Sequence, residues 1–333
     1  MEPFHHKSRN SLNTLYLDGN ELHGEIPHQL ENCQSLSDLN LAANKFHGKL
    51  PKELGNLAWL VAMALQDNDL SGEIPSEFSK LTYLYTLDLS HNSLSGAIPA
   101  TLFSLKNLWT LNLEGNKLRG SIPDTIVNLT SLQELQLGNN KLIGTIPRMP
   151  TSLSSTLNLS NNLFSGSIPS HLGILNQLRV LDLSSNNFTG EVPHTLSTME
   201  NLENLVVSNN QLSGTLPSFP TCVTVIASGN NFSEDNTIGS RDTETNKTIV
   251  SKQAILIMIA AFVSGFVVAI LGATITEQVI SRCCYQATNK KSSATRNSSQ
   301  PDPMDNFEKM RVRHLLYVAN RRETKSRARN SGM

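Results

Sequence analysis

Leu12-Asn13-Thr14-Leu15-Tyr16-Leu17-Asp18-Gly19-Asn20-Glu21-Leu22-His23-Gly24-Glu25-Ile26-Pro27 sets the phase of the whole chain. It reads L-x-x-L-x-L-x-x-N-x-L-x-G-x-I-P and returns in nine copies before residue 220. The asparagines stand at Asn20, Asn44, Asn68, Asn92, Asn116, Asn140, Asn162, Asn186 and Asn210, 24 residues apart except for a 22-residue step from Asn140 to Asn162. Glycines keep the same phase from Gly24 to Gly214, and prolines from Pro27 to Pro217. A fixed period in the twenties makes each copy one coil of a solenoid, which buries its apolar face only by stacking on its neighbours.

The L-x-L pair of each copy alternates apolar and polar residues, the period of a short strand. Leu15/Leu17, Leu39/Leu41, Met63/Leu65, Leu87/Leu89 and Leu111/Leu113 point inward, and Leu135/Leu137, Leu157/Leu159, Leu181/Leu183 and Leu205/Val207 continue the row. Every coil runs the same way, so these strands pair in parallel, and nine or ten of them span about 45 Å. Each ladder asparagine leaves its strand where backbone groups would otherwise be buried without partners, which makes it structural. Gly frees the backbone, and Pro removes a donor, so the convex half is irregular rather than α-helical. Coil six closes early at Arg148-Met149-Pro150-Thr151, and a degenerate tenth strand, Val225-Ile226-Ala227 with Asn230, reads as a C-terminal cap.

Composition divides the chain. Residues 1–253 carry 15 Lys/Arg against 23 Asp/Glu, and residues 254–333 carry 12 against 5. Between these parts Ala254 to Ile275 holds 22 residues without a charge, about 33 Å of helix and enough for a bilayer core. Arg282, Lys290, Lys291 and Arg296 follow it, which puts the tail in the cytosol. The expected organisation is a segment 1–10 without a recognisable cap, a solenoid at 11–232, a polar stalk at 233–253, a transmembrane helix at 254–275 and a basic, disordered tail at 276–333. Met1 to Asn10 holds no apolar run of a signal peptide, so the span itself would act as the anchor, with retention in the endoplasmic reticulum as an alternative location.

The signature N-x-L-x-G-x-I-P, as in residues 19–27, resembles the plant-specific subtype of leucine-rich repeat over residues 11–220. Repeats, span and basic tail together are similar to the membrane-proximal part of a plant leucine-rich-repeat receptor-like kinase or receptor-like protein. The resemblance implies an α/β-type horseshoe solenoid with one parallel sheet on its concave face. It also implies a plasma-membrane receptor, solenoid outside, that binds a peptide or small ligand and a receptor-kinase co-receptor. The departures are the missing cysteine-paired caps and the absence of kinase motifs; the segment after the span holds one glycine, Gly332. No Ser/His/Asp set, phosphate loop or metal-ligand spacing occurs elsewhere, so no enzyme, metal, cofactor or nucleic-acid role is expected. Two alternatives remain open: a truncated product of a longer receptor kinase, and a membrane-anchored interaction scaffold.

Ligand contacts are expected at the positions the motif leaves blank. Tyr16, Tyr85, Asp88, Trp109 and Glu114 form the candidate patch, since exposed Trp and Tyr mark interaction hot spots. Packing of Tyr85 on Trp109 as a cross-strand pair is the competing reading. Trp59 and Tyr83 are expected to be structural and convex. Sequons at Asn128, Asn158, Asn187, Asn231 and Asn246 are glycosylation candidates, with Asn158 doubtful because it falls on the concave face. Cys283 and Cys284 are palmitoylation candidates. Ala261, Gly265, Ala269 and Ala273 recur every four residues and would let two membrane helices pair closely as a homo- or hetero-dimer.

Overall fold

Glycine and proline cut each coil into three parts. A computed structural model describes residues 12–233. In it the L-x-L segments form a ten-stranded parallel sheet from Thr14–Tyr16 to Thr224–Ile226, each strand paired with the next in sequence. The register is uniform: Leu39 lies between Leu15 and Met63, and Leu181 between Leu157 and Leu205. The tenth strand expected around Val225 is present, and Asn230 continues the ladder by donating to Val207 O at 2.9 Å.

A second ten-stranded parallel sheet, not anticipated from sequence, runs from His23–Glu25 to Asn231–Phe232. Its strands begin just after the ladder asparagines and end at or near the positive-φ glycines, such as Gly72 at +78°. A Cβ disfavours that region, and glycine enters it without cost. The expected parallel sheet of L-x-L strands is present, and this second sheet is additional to it. The convex side carries five-residue 3-10 helices, the first at His28–Asn32 and the last at His194–Thr198, each preceded by a proline. Proline suits that place because it fixes φ and no N–H is required there. The shortened coil six has no such helix after Pro147.

Each ladder asparagine joins two coils. Asn116 Nδ2 donates to Leu89 O of the preceding coil at 3.0 Å and to Leu113 O of its own at 3.1 Å. Its Oδ1 accepts Leu94 N–H, also from the preceding coil, at 2.9 Å. Among the described residues Asn20, in the first described coil, bonds within its own turn, to Leu17 O and Asp18 O. The residue before each asparagine is left-handed, as at Ala43 (φ 51°) and His91 (φ 51°). Leucine, isoleucine and phenylalanine fill the space between the layers, with Phe46, Phe78, Phe103, Phe164 and Phe188 fully buried.

Among the described residues no helix is long and apolar enough to cross a membrane. The expected span at 254–275, the stalk beyond Ser233 and the tail at 276–333 lie outside the described residues. So do Asn246, Cys283, Cys284 and the row Ala261, Gly265, Ala269 and Ala273.

Candidate functional site where the concave strands begin

Two places before the first inward leucine, each coil turns into its concave strand. The carbonyl at that place accepts two N–H groups of the next coil: Trp109 N and Thr110 N both donate to Tyr85 O, at 2.8 and 3.1 Å. Gln133 N and Glu134 N repeat this on Trp109 O. The fork fixes successive side chains of this row one above another.

Tyr85 and Trp109 stack with ring centroids 5.3 Å apart and planes inclined by 23°. Tyr85 is 3% exposed, so the expectation of an open aromatic is corrected: Trp109, half-buried, covers it. Trp59 and Tyr83, ahead of the strands Ala62–Ala64 and Thr86–Asp88, stack at 5.2 Å and 19°. The stack of Tyr85 on Trp109 is the packing expected as the competing reading. Tyr85, Trp109, Asn107, Thr130, Ser131, Gln133 and Ser152 line a shallow cavity of about 280 Å³. That volume lies at the small end for ligand sites, room for one or two side chains rather than a large molecule.

The lining carries no charge. Asn107 is tied down through its Nδ2 to Thr82 O at 2.8 Å, and Ser152 donates to Leu132 O at 2.8 Å. Gln133 Oε1 accepts Ser154 Oγ at 2.8 Å. An aromatic wall with amide and hydroxyl groups around it suits an uncharged apolar or ring-shaped side chain on a hydrogen-bonding backbone. Asn107, Gln133 and the Thr130-Ser131 turn were not singled out in the sequence. The period would have found them, because they repeat the phase of Tyr83, Tyr85 and Trp109.

The other candidates are not brought to this cavity. Asp88 sits farther along its strand, half-buried, with Oδ1 accepting Ser90 N–H at 3.0 Å and Ser90 Oγ at 2.6 Å. Burial raises its carboxyl above the ordinary 3.8, against the lowering pull of those Ser90 bonds. Asn40, Asn112, Asn158 and Asp182 cap the residue two places on in the same way. This row therefore holds the exit turns of the concave strands. Glu114 accepts Asn139 Nδ2 at 2.9 Å at the far end of the strands. Tyr16, 54% exposed, shares the register row of Asn40, Ala64 and Asp88, three strands and about 14 Å from Asp88. Among the described residues no cluster could hold a metal ion.

Of the sequons, Asn128, Asn187 and Asn231 are exposed, on a 3-10 helix and two strands of the second sheet. Asn158 is half-buried and committed to Ser160.

The sequence matches the family described as "Leucine-rich repeat region" over residues 23–142, and "Leucine Rich Repeat" over 11–33, 155–175, 177–199 and 201–223. No curated protein matches the chain. Among solved structures it is similar to a TDR receptor, 37% identical with a TM-score of 0.62, over 66% of this chain and 39% of that one. It is also similar to the Arabidopsis receptor kinase HAESA in complex with the peptide hormone IDA and the co-receptor SERK1, 36% identical, TM-score 0.63, over 69% and 39%. A plant ice-binding protein is 32% identical, TM-score 0.57, over 66% of this chain and 72% of that one. The chain thus spans 39% of the length of the two receptors.

Proposed function

The chain belongs to the leucine-rich-repeat proteins, and from that premise we propose that its solenoid is the recognition part of a kinase-less, single-pass membrane receptor or co-receptor. Its concave face binds a peptide, a small ligand or a partner ectodomain, and the signal passes through associated kinases. The observation that carries this reading is the uncharged cavity walled by Tyr85 and Trp109, which offers an apolar side chain a stacking surface beside amide and hydroxyl groups. The likeness to HAESA, solved with a peptide hormone and a co-receptor, supports a peptide ligand and a receptor-kinase partner. The charge-free run from Ala254 to Ile275 and the cations after it support the topology, solenoid outside and tail cytosolic.

Glycosidase treatment of the chain from plant membranes tests the topology. Steps in mobility traced to Asn128, Asn187 and Asn231, each removed by its Gln variant, are expected. An unshifted chain would mean that the solenoid never enters the lumen, and the receptor reading fails. Recovery of a receptor kinase with the wild-type chain, but not with Trp109→Ala, tests recognition at the cavity.

A further inference from the structure

The second sheet has an outer face, and its chemistry is not uniform. Each strand turns two side chains outward, one and three places after the ladder asparagine, while the residue between them enters the core. On the strands to either side of coils five to seven these pairs are short and polar, Ser93 and Ser95 before them and Asn187 and Thr189 after. Three adjacent strands break the pattern. Lys117–Gly120 presents Lys117 and Arg119, Lys141–Gly144 presents Lys141 and Ile143, and Leu163–Ser167 presents Leu163. Arg119 is the register partner of Lys141, and Ile143 that of Leu163. Ile143 and Leu163 are 48% and 50% exposed.

No acid answers these cations. The outer positions of the three strands and of the strand on either side hold no Asp or Glu, and none of the three cations makes an ion pair among the described residues. Glu114, on the nearby turn, is engaged by Asn139. The patch is basic on a solenoid that is acidic as a whole, since residues 11–232 carry 10 Lys/Arg against 18 Asp/Glu.

Coil six adds a second irregularity at the same place. At the position of Val127, a Cβ added to Gly55 or Gly173 would lie 2.4 Å from Glu77 O or 2.5 Å from Thr195 Cβ of the next helix, and Phe103 is buried there. Coil six has no helix, so Val127 is 46% exposed. Exposed apolar side chains therefore gather around this one coil.

We propose that the outer face formed by Lys117, Arg119, Lys141, Ile143 and Leu163 is a docking surface for an acidic, amphipathic segment of another protein. Its carboxylates would meet the three cations, and its apolar side chains would cover Ile143 and Leu163. Charge complementarity selects an acidic partner. The apolar pair selects protein over an anionic polysaccharide, which has little to bury there. A second copy on a two-fold axis would set cation against cation. The surface lies on the second sheet, apart from the concave cavity, and stands whether or not that cavity binds a ligand.

The test uses the purified full chain and a displayed library of random peptides of ~12 residues, long enough to cross three strands. Recovered peptides are expected to alternate Asp or Glu with apolar residues. A synthetic copy of the most enriched one should bind K117E/R119E/K141E and I143S/L163S at least about tenfold more weakly than wild type, and more weakly in high salt. Both variants should keep the wild-type unfolding midpoint; if either does not, R119Q and I143T replace them, with a smaller loss in the same direction. Peptides without acidic enrichment, or peptides bound equally by both variants, overturn the proposal. So does a patch that takes only polygalacturonate, phosphatidylserine vesicles or a second copy of the chain.

Discussion

Trp109 lies on Tyr85 because its own backbone N–H is anchored to the Tyr85 carbonyl at 2.8 Å, which brings the two rings to 5.3 Å. The two members of the pair are not equivalent. Tyr85 is core and Trp109 is lid. Tyr85→Ala is expected to cost about 3–5 kcal/mol, as for a buried aromatic, and Trp109→Ala no more than about 2, because its outer face is in water. Urea unfolding of the two variants checks this. Equal losses would make Trp109 a core residue and remove the argument that its face is there for a ligand.

The asparagine ladder predicts a second contrast. Asn116→Ala would strand Leu94 N–H and the Leu89 carbonyl between coils, at about 2–4 kcal/mol for buried groups left without partners. Asn20 is exposed, and among the described residues it bonds within its own turn, so Asn20→Ala should cost about 1 kcal/mol or less. Chemical denaturation of both variants separates an inter-coil tie from a local turn.

Gly55 and Val127 occupy the same place in different coils. Gly55→Ala pushes a Cβ to within 2.4 Å of the Glu77 carbonyl and is expected to cost about 1–3 kcal/mol. Val127→Ala, with no helix before it, should stay within about 0.5 kcal/mol. A comparable loss at Val127 would show that coil six supplies packing there after all. Thermal unfolding reads both.

Asp88 gives a pH dependence. Its folded-state pKa is raised above 3.8, so burial opposes the charged form: the fold gains from protonation at low pH and loses that gain as pH rises through the folded pKa. Asn keeps the cap on the residue two places on, as Asn40 and Asn112 do in their own coils. Asp88→Asn should therefore unfold at a higher temperature than wild type at pH 7, with the difference shrinking as pH falls toward 4. A variant less stable at pH 7 would mean that the carboxylate charge is itself useful there.

The coil period, the inward leucines and the role of the asparagines were legible because each depends on one residue type recurring in one phase. The second sheet was not. Its strands, such as Lys117-Leu118-Arg119-Gly120, are two to five residues long and pair only with the neighbouring coils. A left-handed glycine at the end of such a segment reads as a break until the stack is assembled. Aromatic residues at Tyr85 and Trp109 were visible, but their depth was not: burial of Tyr85 depends on the ring 24 residues away. Asp88 looked like a free concave carboxylate because the bond from Ser90 crosses a turn that the motif leaves blank.

Both of the asparagine's long-range bonds run the same way. Asn116 takes Leu94 N–H and the Leu89 carbonyl, and Asn140 takes Leu118 N–H and the Leu113 carbonyl, always from the coil made earlier. An asparagine thus finds its partners already in place when its coil follows a finished predecessor. On a ribosome, which releases the chain from its N-terminus, construction and synthesis share a direction. Each new asparagine clips onto a finished surface, and nascent leucines wait for only one coil's length before they are covered.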